Sequence, residues 1–185
     1  MDLASFFGTL RGHYVGQLQA FTAAQRGLFE RGASEARLQM RPESAIYRHL
    51  YRADFVGDSG EGPCFRELVP DDALAFDRVT MRLGLAYVSV TAMSWDDCVI
   101  THDLETGAEA QLQPALELWF GKWFERGEEG HLPETATADA VHSVLVSPGR
   151  LSTDLGTAPV EALIELLELL VEGGALSIGI SGSRN

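Results

Sequence analysis

The chain has 185 residues, of which 45% are apolar, and a formal net charge of −13 at pH 7. A chain of this length can bury a sufficient core without metal ions or disulfides, so we expect one domain over residues 1–185 and no cofactor. Its two cysteines are too few for a disulfide framework, and neither a signal peptide nor a membrane-spanning segment is visible. These features predict a cytoplasmic protein that does not associate with membranes.

The negative charge is concentrated in the second half of the chain. Residues 1–82 contain ten basic and eleven acidic side chains, whereas residues 83–185 contain four basic and sixteen acidic ones. Such a surface repels phosphate groups, which argues against nucleic-acid binding by this half. It is compatible with a basic protein partner, and also with a charge that only keeps the protein soluble.

A long amphipathic helix is predicted over residues 2–32, with a break near Gly27, because apolar side chains recur at helical spacing. Gly8, Gly12 and Gly16 lie four residues apart and therefore on one face of this helix. This spacing indicates close packing against another backbone, within the chain or between the subunits of a homodimer. A helix that is weakened without functional consequence is the alternative.

Residues 42–53 are predicted to form a second short helix, since Pro42 and Glu43 suit a helix N-terminus. A strand is the alternative, because the tyrosines and isoleucine of this segment also favour sheets. The apolar period then changes to two over residues 76–112, which predicts an antiparallel meander. Its last hairpin turn is placed at Leu104–Gly107.

The remaining elements alternate between helix and strand. Pro114 is predicted to begin a helix that ends near Arg126. Pro148 and Gly149 predict a type II turn between two short strands, and a helix over about residues 158–172 precedes a final strand. This order predicts an α+β fold with helices packed on one face of a mainly antiparallel sheet.

The last predicted helix carries the most regular acidic pattern of the chain. Glu161, Glu165, Glu168 and Glu172 form one stripe on a helix that is otherwise almost entirely apolar. Such a helix must be covered on most of its circumference, by the core or by a second chain. A basic partner would relieve the repulsion between the four like charges, whereas a stripe that simply faces solvent is the alternative.

Aromatic residues dominate the apolar face of the helix predicted after Pro114. This face either packs on the sheet as core or is partly exposed for a partner or ligand. Trp119 and Trp123 lie on it and, together with the four glutamates, make up the candidate partner-binding residues.

Residues 95–103 contain the densest group of polar side chains. An alternative ligand or metal site here consists of Asp96, Asp97, Cys98, His102 and Asp103. In a strand, Cys98 and His102 are separated by about 13 Å, which prevents a direct hydrogen bond. The HExxH, CxxC, GxSxG and Walker A motifs are absent. We therefore assign no catalytic residue and no metal ligand.

These observations favour a non-enzymatic protein-binding module that presents an acidic face to a basic partner, with a homodimer as a further expectation. The order of elements and the acidity are similar to those of small acidic secretion chaperones and of immunity proteins, which is a likeness of architecture alone. The alternative function is that of a small enzyme, or of a metal- or ligand-binding protein, that uses residues 96–103 with distant side chains.

Overall fold

The computed structural model describes residues 2–39, 50–70, 74–127 and 137–183. These ranges contain three helices and two β-sheets, one antiparallel and one mixed. This arrangement confirms the predicted α+β class and the long N-terminal helix. None of the helices in these ranges combines the length and apolar character needed to cross a membrane.

The three helices pack together on the same side of the larger sheet. Helix α1 spans Leu3–Arg26 and begins at Asp2, whose carboxylate accepts a hydrogen bond from the Ser5 amide at 2.7 Å. Helix α2 spans Thr106–Phe124 and helix α3 spans Val160–Glu172. Both α1 and α2 contact α3, which therefore lies at the centre of the helical layer.

The strands form a smaller and a larger sheet. In chain order they are β1 Gly32–Gln39, β2 Leu50–Asp58, β3 Pro63–Arg66, β4 Val79–Leu83, β5 Ala86–Val90, β6 Cys98–His102, β7 Ser143–Ser147, β8 Arg150–Asp154 and β9 Ser177–Ser181. The smaller sheet is antiparallel with the order β1-β2-β3. The larger sheet has the order β4-β5-β9-β6-β8-β7, and its only parallel pair among these strands is β5 with β9.

The hydrophobic core lies between the larger sheet and the helices. The side chains of Val88, Ile100 and Ile178 are fully buried on the sheet face that the helices cover. Tyr87, which alternates with Val88 along β5, is 55% exposed on the opposite face. The sheet thus has one covered face and one open face, as its alternating strand sequences require.

Two predictions for the first third of the chain need correction. The first helix breaks near Gly27 as predicted, but it does not resume, because residues from Gly32 onward form β1. The second predicted helix is wrong over residues 50–53, which begin β2, while residues 42–49 lie outside the described part of the chain. Strand β2 is buried between β1 and β3, so sheet pairing overrides the local helical signals.

Helix α2 begins earlier than predicted. It starts at Thr106, so the hairpin turn at Leu104–Gly107 and the strand expected after it are wrong. Pro114 lies inside the helix, which loses a backbone hydrogen bond there because proline has no N–H. The side chain of Leu112 packs closely on Gly173 at the end of α3, and this tertiary contact supports the extra helical turns.

The central strands confirm the predicted alternation but not the complete meander. Strands β4 and β5 pair in antiparallel orientation as predicted. Strand β6, however, does not pair with β5, because β9 lies between the two. The type II turn signal is confirmed at the β7–β8 hairpin, where Gly149 has a φ of +71°.

The glycines of α1 do not support close packing within the chain. Apart from the adjoining backbone of α1 itself, a Cβ atom placed at Gly8, Gly12 or Gly16 would meet no atom of the described chain within 4 Å. The described residues therefore show no close intramolecular contact at these glycines, and a contact between subunits stays a prediction.

Candidate functional site

The glutamate stripe lies on the outer side of α3, and its members differ in their surroundings. The carboxylate of Glu165 accepts hydrogen bonds from Lys122 Nζ at 2.6 and 2.8 Å and from the indole N–H of Trp123 at 2.9 Å. Glu168 and Glu172 are exposed and form no hydrogen bond or ion pair with the described residues. The charge of Glu165 is balanced within the chain, whereas the other two charges face solvent.

The two tryptophans proposed for partner binding belong to the core. Trp119 and Trp123 are only 4% and 3% exposed. The indole N–H of Trp119 donates to the Ala162 carbonyl of α3 at 2.8 Å. Their burial agrees with the first of the two predicted alternatives, in which this face packs as core, and these rings hold α2 against α3.

A shallow groove of about 340 Å³ runs between the outer sides of α2 and α3. It is lined by Ala115, Leu118, Trp119, Lys122, Glu165, Glu168, Leu169 and Glu172. The side chain of Leu118 is 77% exposed at its edge. Glu168 and Glu172 give the groove a negative charge that Lys122 does not balance, because Lys122 is paired with Glu165. We call this surface the acidic groove.

The polar residues near β6 are used within the fold. Asp97 accepts hydrogen bonds from the Ser183 amide and hydroxyl at 2.8 and 2.7 Å. Asp103 accepts hydrogen bonds from the amides of Ser177 and Leu176, which lower the pKa of its carboxyl. Asp103 therefore holds the start of β9 by hydrogen bonds, and Asp97 holds the segment just after its end.

The other members of that group are not arranged around a common centre. Asp96 accepts a hydrogen bond from the Ser94 hydroxyl at 2.5 Å, and His102 lies at the opposite end of β6 from Cys98. Cys98 is 1% exposed, and burial raises the pKa of its thiol. In the described ranges, no three His, Cys, Asp or Glu side chains are placed to hold a metal ion. This geometry does not favour the alternative enzyme or metal site, which stays a prediction.

A group of charged residues, of which only Asp154 is partly exposed, lies where the two sheets meet and was not predicted from the sequence. It consists of Glu35, Asp54, His142 and Asp154, and we call it the buried ionic cluster. His142 Nε2 lies 3.1 Å from Glu35 Oε1, while Nδ1 lies 3.3 Å from Asp54 Oδ1 and 3.7 Å from Asp154 Oδ2. The imidazole has no exposed surface, so its charge is balanced by protein groups alone.

The carboxylates determine the protonation of this cluster. Burial by itself lowers the pKa of His142, but the charges and hydrogen bonds of Asp154, Asp54 and Glu35 outweigh it and raise the pKa well above its ordinary value. Burial alone would raise the pKa of Glu35, but its contacts with His142 lower it. Burial also raises the pKa of Asp154, which His142 only partly opposes.

Arg52 extends the cluster toward the end of α2. Its guanidinium donates hydrogen bonds to the carbonyls of Phe124, Arg126 and Glu35. The Phe124 carbonyl is at the last residue of α2 and the Arg126 carbonyl lies two residues beyond it, so no further helical turn satisfies them. The Arg52 amide also donates to the His142 carbonyl at 3.0 Å. These bonds join β2, the end of α2 and the start of β7.

The buried ionic cluster is largely shielded from solvent, and only Asp154 is partly exposed, at 23%. Glu35 and Asp54 are 3% and 4% exposed and His142 is fully buried, so these three side chains interact chiefly with other protein groups. A signal for part of it exists in the sequence, since Arg52 and Asp54 alternate with the fully buried Ala53 and Phe55 along β2. Charged residues inside such an apolar strand indicate buried partners, but the sequence does not identify them.

Comparison of the chain with protein-family models, with curated proteins and with solved structures found no match in any of the three.

Proposed function

We propose that the protein is a binding module whose acidic groove accepts a basic, amphipathic helical segment of a partner protein. The exposed Leu118 beside Glu168 and Glu172, which have no partners among the described residues, is the observation that carries this proposal. An exposed leucine next to uncompensated carboxylates forms a surface that combines apolar contact area with negative charge.

The shape of the acidic groove suits a helix better than an extended strand. Two packed helices leave a furrow into which side chains of a third helix insert. Helix α3 presents Glu168 and Glu172 one turn apart, so lysines or arginines one turn apart on the partner can approach both. The partner's apolar side chains would then cover Leu118 and Leu169, which line the groove.

The charges contribute mainly to partner choice and association rate. Exposed ion pairs contribute about 0.2–1 kcal/mol each, so Glu168 and Glu172 alone cannot supply tight binding. Apolar contact with Leu118 must provide the remainder, while the negative field attracts basic segments and repels acidic ones. Binding should therefore weaken as salt is added without disappearing completely.

A synthetic helical peptide tests the proposal directly. The peptide has leucines along one face and lysines at positions i and i+4 beside it, and a second peptide carries glutamates in place of those lysines. Trp119 lines the groove, so its fluorescence is expected to report binding of the lysine peptide only. The double variant Glu168→Lys, Glu172→Lys should weaken that binding by about tenfold or more.

Glu161→Lys provides the matched control. Glu161 is exposed on the same helix and in the same stripe, but it does not line the groove. It should change binding by less than about threefold. Equal binding of the two peptides, or an equal loss in the control and in the double variant, would exclude the acidic groove as the binding surface.

A further inference from the structure

The free edge of the larger sheet provides a second interaction surface, distinct from the acidic groove. Strand β4 ends the strand order on one side and pairs only with β5 among the described strands. The opposite edge differs, because the start of β7 lies beside β2 and the His142 carbonyl accepts a hydrogen bond from the Arg52 amide. Of the two edges, β4 is therefore the one without a neighbour in the described chain.

The hydrogen-bonding pattern shows which backbone groups of β4 point outward. Tyr87 of β5 donates its amide to Leu176, so odd-numbered residues of β5 bond toward β9. Even-numbered residues of β5 consequently bond to β4, where their partners are Val79, Met81 and Leu83. The amide and carbonyl groups of Thr80 and Arg82 are thus directed away from the sheet.

An open apolar groove accompanies this edge on the side of the helices. It has a volume of about 430 Å³, and its lining includes Leu3, Met81, Leu83 and Ile164. The inward-facing side chains of β4 are only half-buried, in contrast to those of β5. A strand added at this edge would cover these half-buried side chains and would also form hydrogen bonds with the outward-directed amide and carbonyl groups.

We propose that this edge is the interface of a homodimer, in which β4 pairs with β4 of a second copy in antiparallel orientation, with the two Met81 residues facing each other. In this register each Thr80 exchanges backbone hydrogen bonds with Arg82 of the second copy, and Val79 lies opposite Leu83. The outward backbone groups and the apolar side chains are then matched at the same time.

The positions of the arginines favour this register over the two registers that are shifted by two residues. Arg78 and Arg82 both lie on the open face of the sheet, on either side of Thr80. A shift of one copy by two residues places Arg82 opposite either Arg78 or Arg82 of the other copy. The Met81-centred register places every arginine opposite an uncharged residue, which avoids the cost of like charges in facing positions.

Two substitutions at one exposed position test the register. Thr80→Arg would oppose Arg82 of the second copy with a like charge at two symmetric places, so the dimer dissociation constant should rise by about five- to tenfold. Thr80→Glu should lower it, because the same positions then hold opposite charges. Sedimentation equilibrium of the full chain and both variants measures these constants.

Cysteine crosslinking checks the same geometry independently. In a Cys64→Ser background, Met81→Cys should form a disulfide-linked dimer on mild oxidation, because facing non-hydrogen-bonded residues approach within disulfide distance. Val79→Cys should not, since its facing residue is Leu83. A chain that stays monomeric at the highest concentration accessible to sedimentation equilibrium, equal effects of the two Thr80 variants, or equal crosslinking of both cysteines would overturn the proposal.

Discussion

Neutralising Glu35 while keeping its shape measures how much the buried ionic cluster stabilises the fold. Glu35→Gln changes neither the size of the side chain nor the backbone requirement, which matters because Glu35 has a φ of +50°. The carboxylate contacts His142 and accepts a hydrogen bond from the Ala138 amide at 2.8 Å. It also accepts a hydrogen bond from the Thr157 hydroxyl.

An amide cannot satisfy all of these groups. If its oxygen accepts from Ala138, its NH₂ group faces the imidazolium of His142, and the opposite orientation leaves the Ala138 amide facing a donor. Removing one partner of a buried ion pair costs about 3–5 kcal/mol. Asp54 and Asp154 still balance His142, so we expect a loss of about 3 kcal/mol, at the lower end of this range.

Urea denaturation followed by tryptophan fluorescence provides the measurement, since Trp95, Trp119 and Trp123 are all buried. With a slope of about 2 kcal/mol per M, the midpoint should fall by about 1.5 M with no change of slope. Glu30→Gln, at an exposed position, is the control and should stay within about 0.5 kcal/mol of the parent. A loss below about 1 kcal/mol for Glu35→Gln would refute the stabilising role assigned to the cluster.

Three further predictions concern the same core. The pKa of His142 is raised in the folded state, so its stabilising contribution is complete below the unfolded value of about 6.5 and is lost as the pH rises through the folded value. The free energy of unfolding should therefore decrease above about pH 6.5, and an increase over this range would contradict the prediction. Gly156→Ala should cost more than about 4 kcal/mol or prevent folding, because its φ is +51° and the new Cβ would lie 2.1 Å from His142 Cδ2. Gly149 has a φ of +71° and open space around it, so Gly149→Ala should lower the free energy of unfolding by only about 1–2 kcal/mol. Equal denaturation midpoints for the two variants would be inconsistent with close packing of Gly156 against His142. In a thiol-reagent assay, the partly exposed Cys64 should react in the native protein and the buried Cys98 only after unfolding, whereas two fast-reacting thiols would show that the strand β6 face is open.

The elements that sequence reasoning placed correctly are those with strong local patterns. Strands β4 and β5 follow from the alternation of apolar and polar residues around Gly84, and α3 follows from its leucine-rich run. The β7–β8 hairpin follows from Pro148 and Gly149, because proline fixes φ at about −65° and glycine allows the positive φ that the next turn position requires.

The errors fall where a distant segment decides the local conformation. The start of α2 carries weak turn signals and an internal Pro114, yet it is helical because Leu112 packs on Gly173. Strand β2 carries helix-compatible residues, yet it is extended because β1 and β3 lie on both sides of it. Local propensities are worth about 1 kcal/mol or less per residue, and about 3 kcal/mol for a proline inside a helix, so tertiary contacts that act together override them.

The sequence by itself determined the α+β class, the uneven charge and the glutamate stripe, since each depends on composition or on a local period. Only the tertiary structure decided which glutamates have no partner among the described residues, because the pairing of Glu165 with Lys122 joins residues of different helices. The tertiary structure also decided that the tryptophans are buried and that Glu35 contacts His142, which is 107 positions away along the chain. Charges and apolar groups interact through space, so their effect depends on contacts between segments that no local pattern encodes.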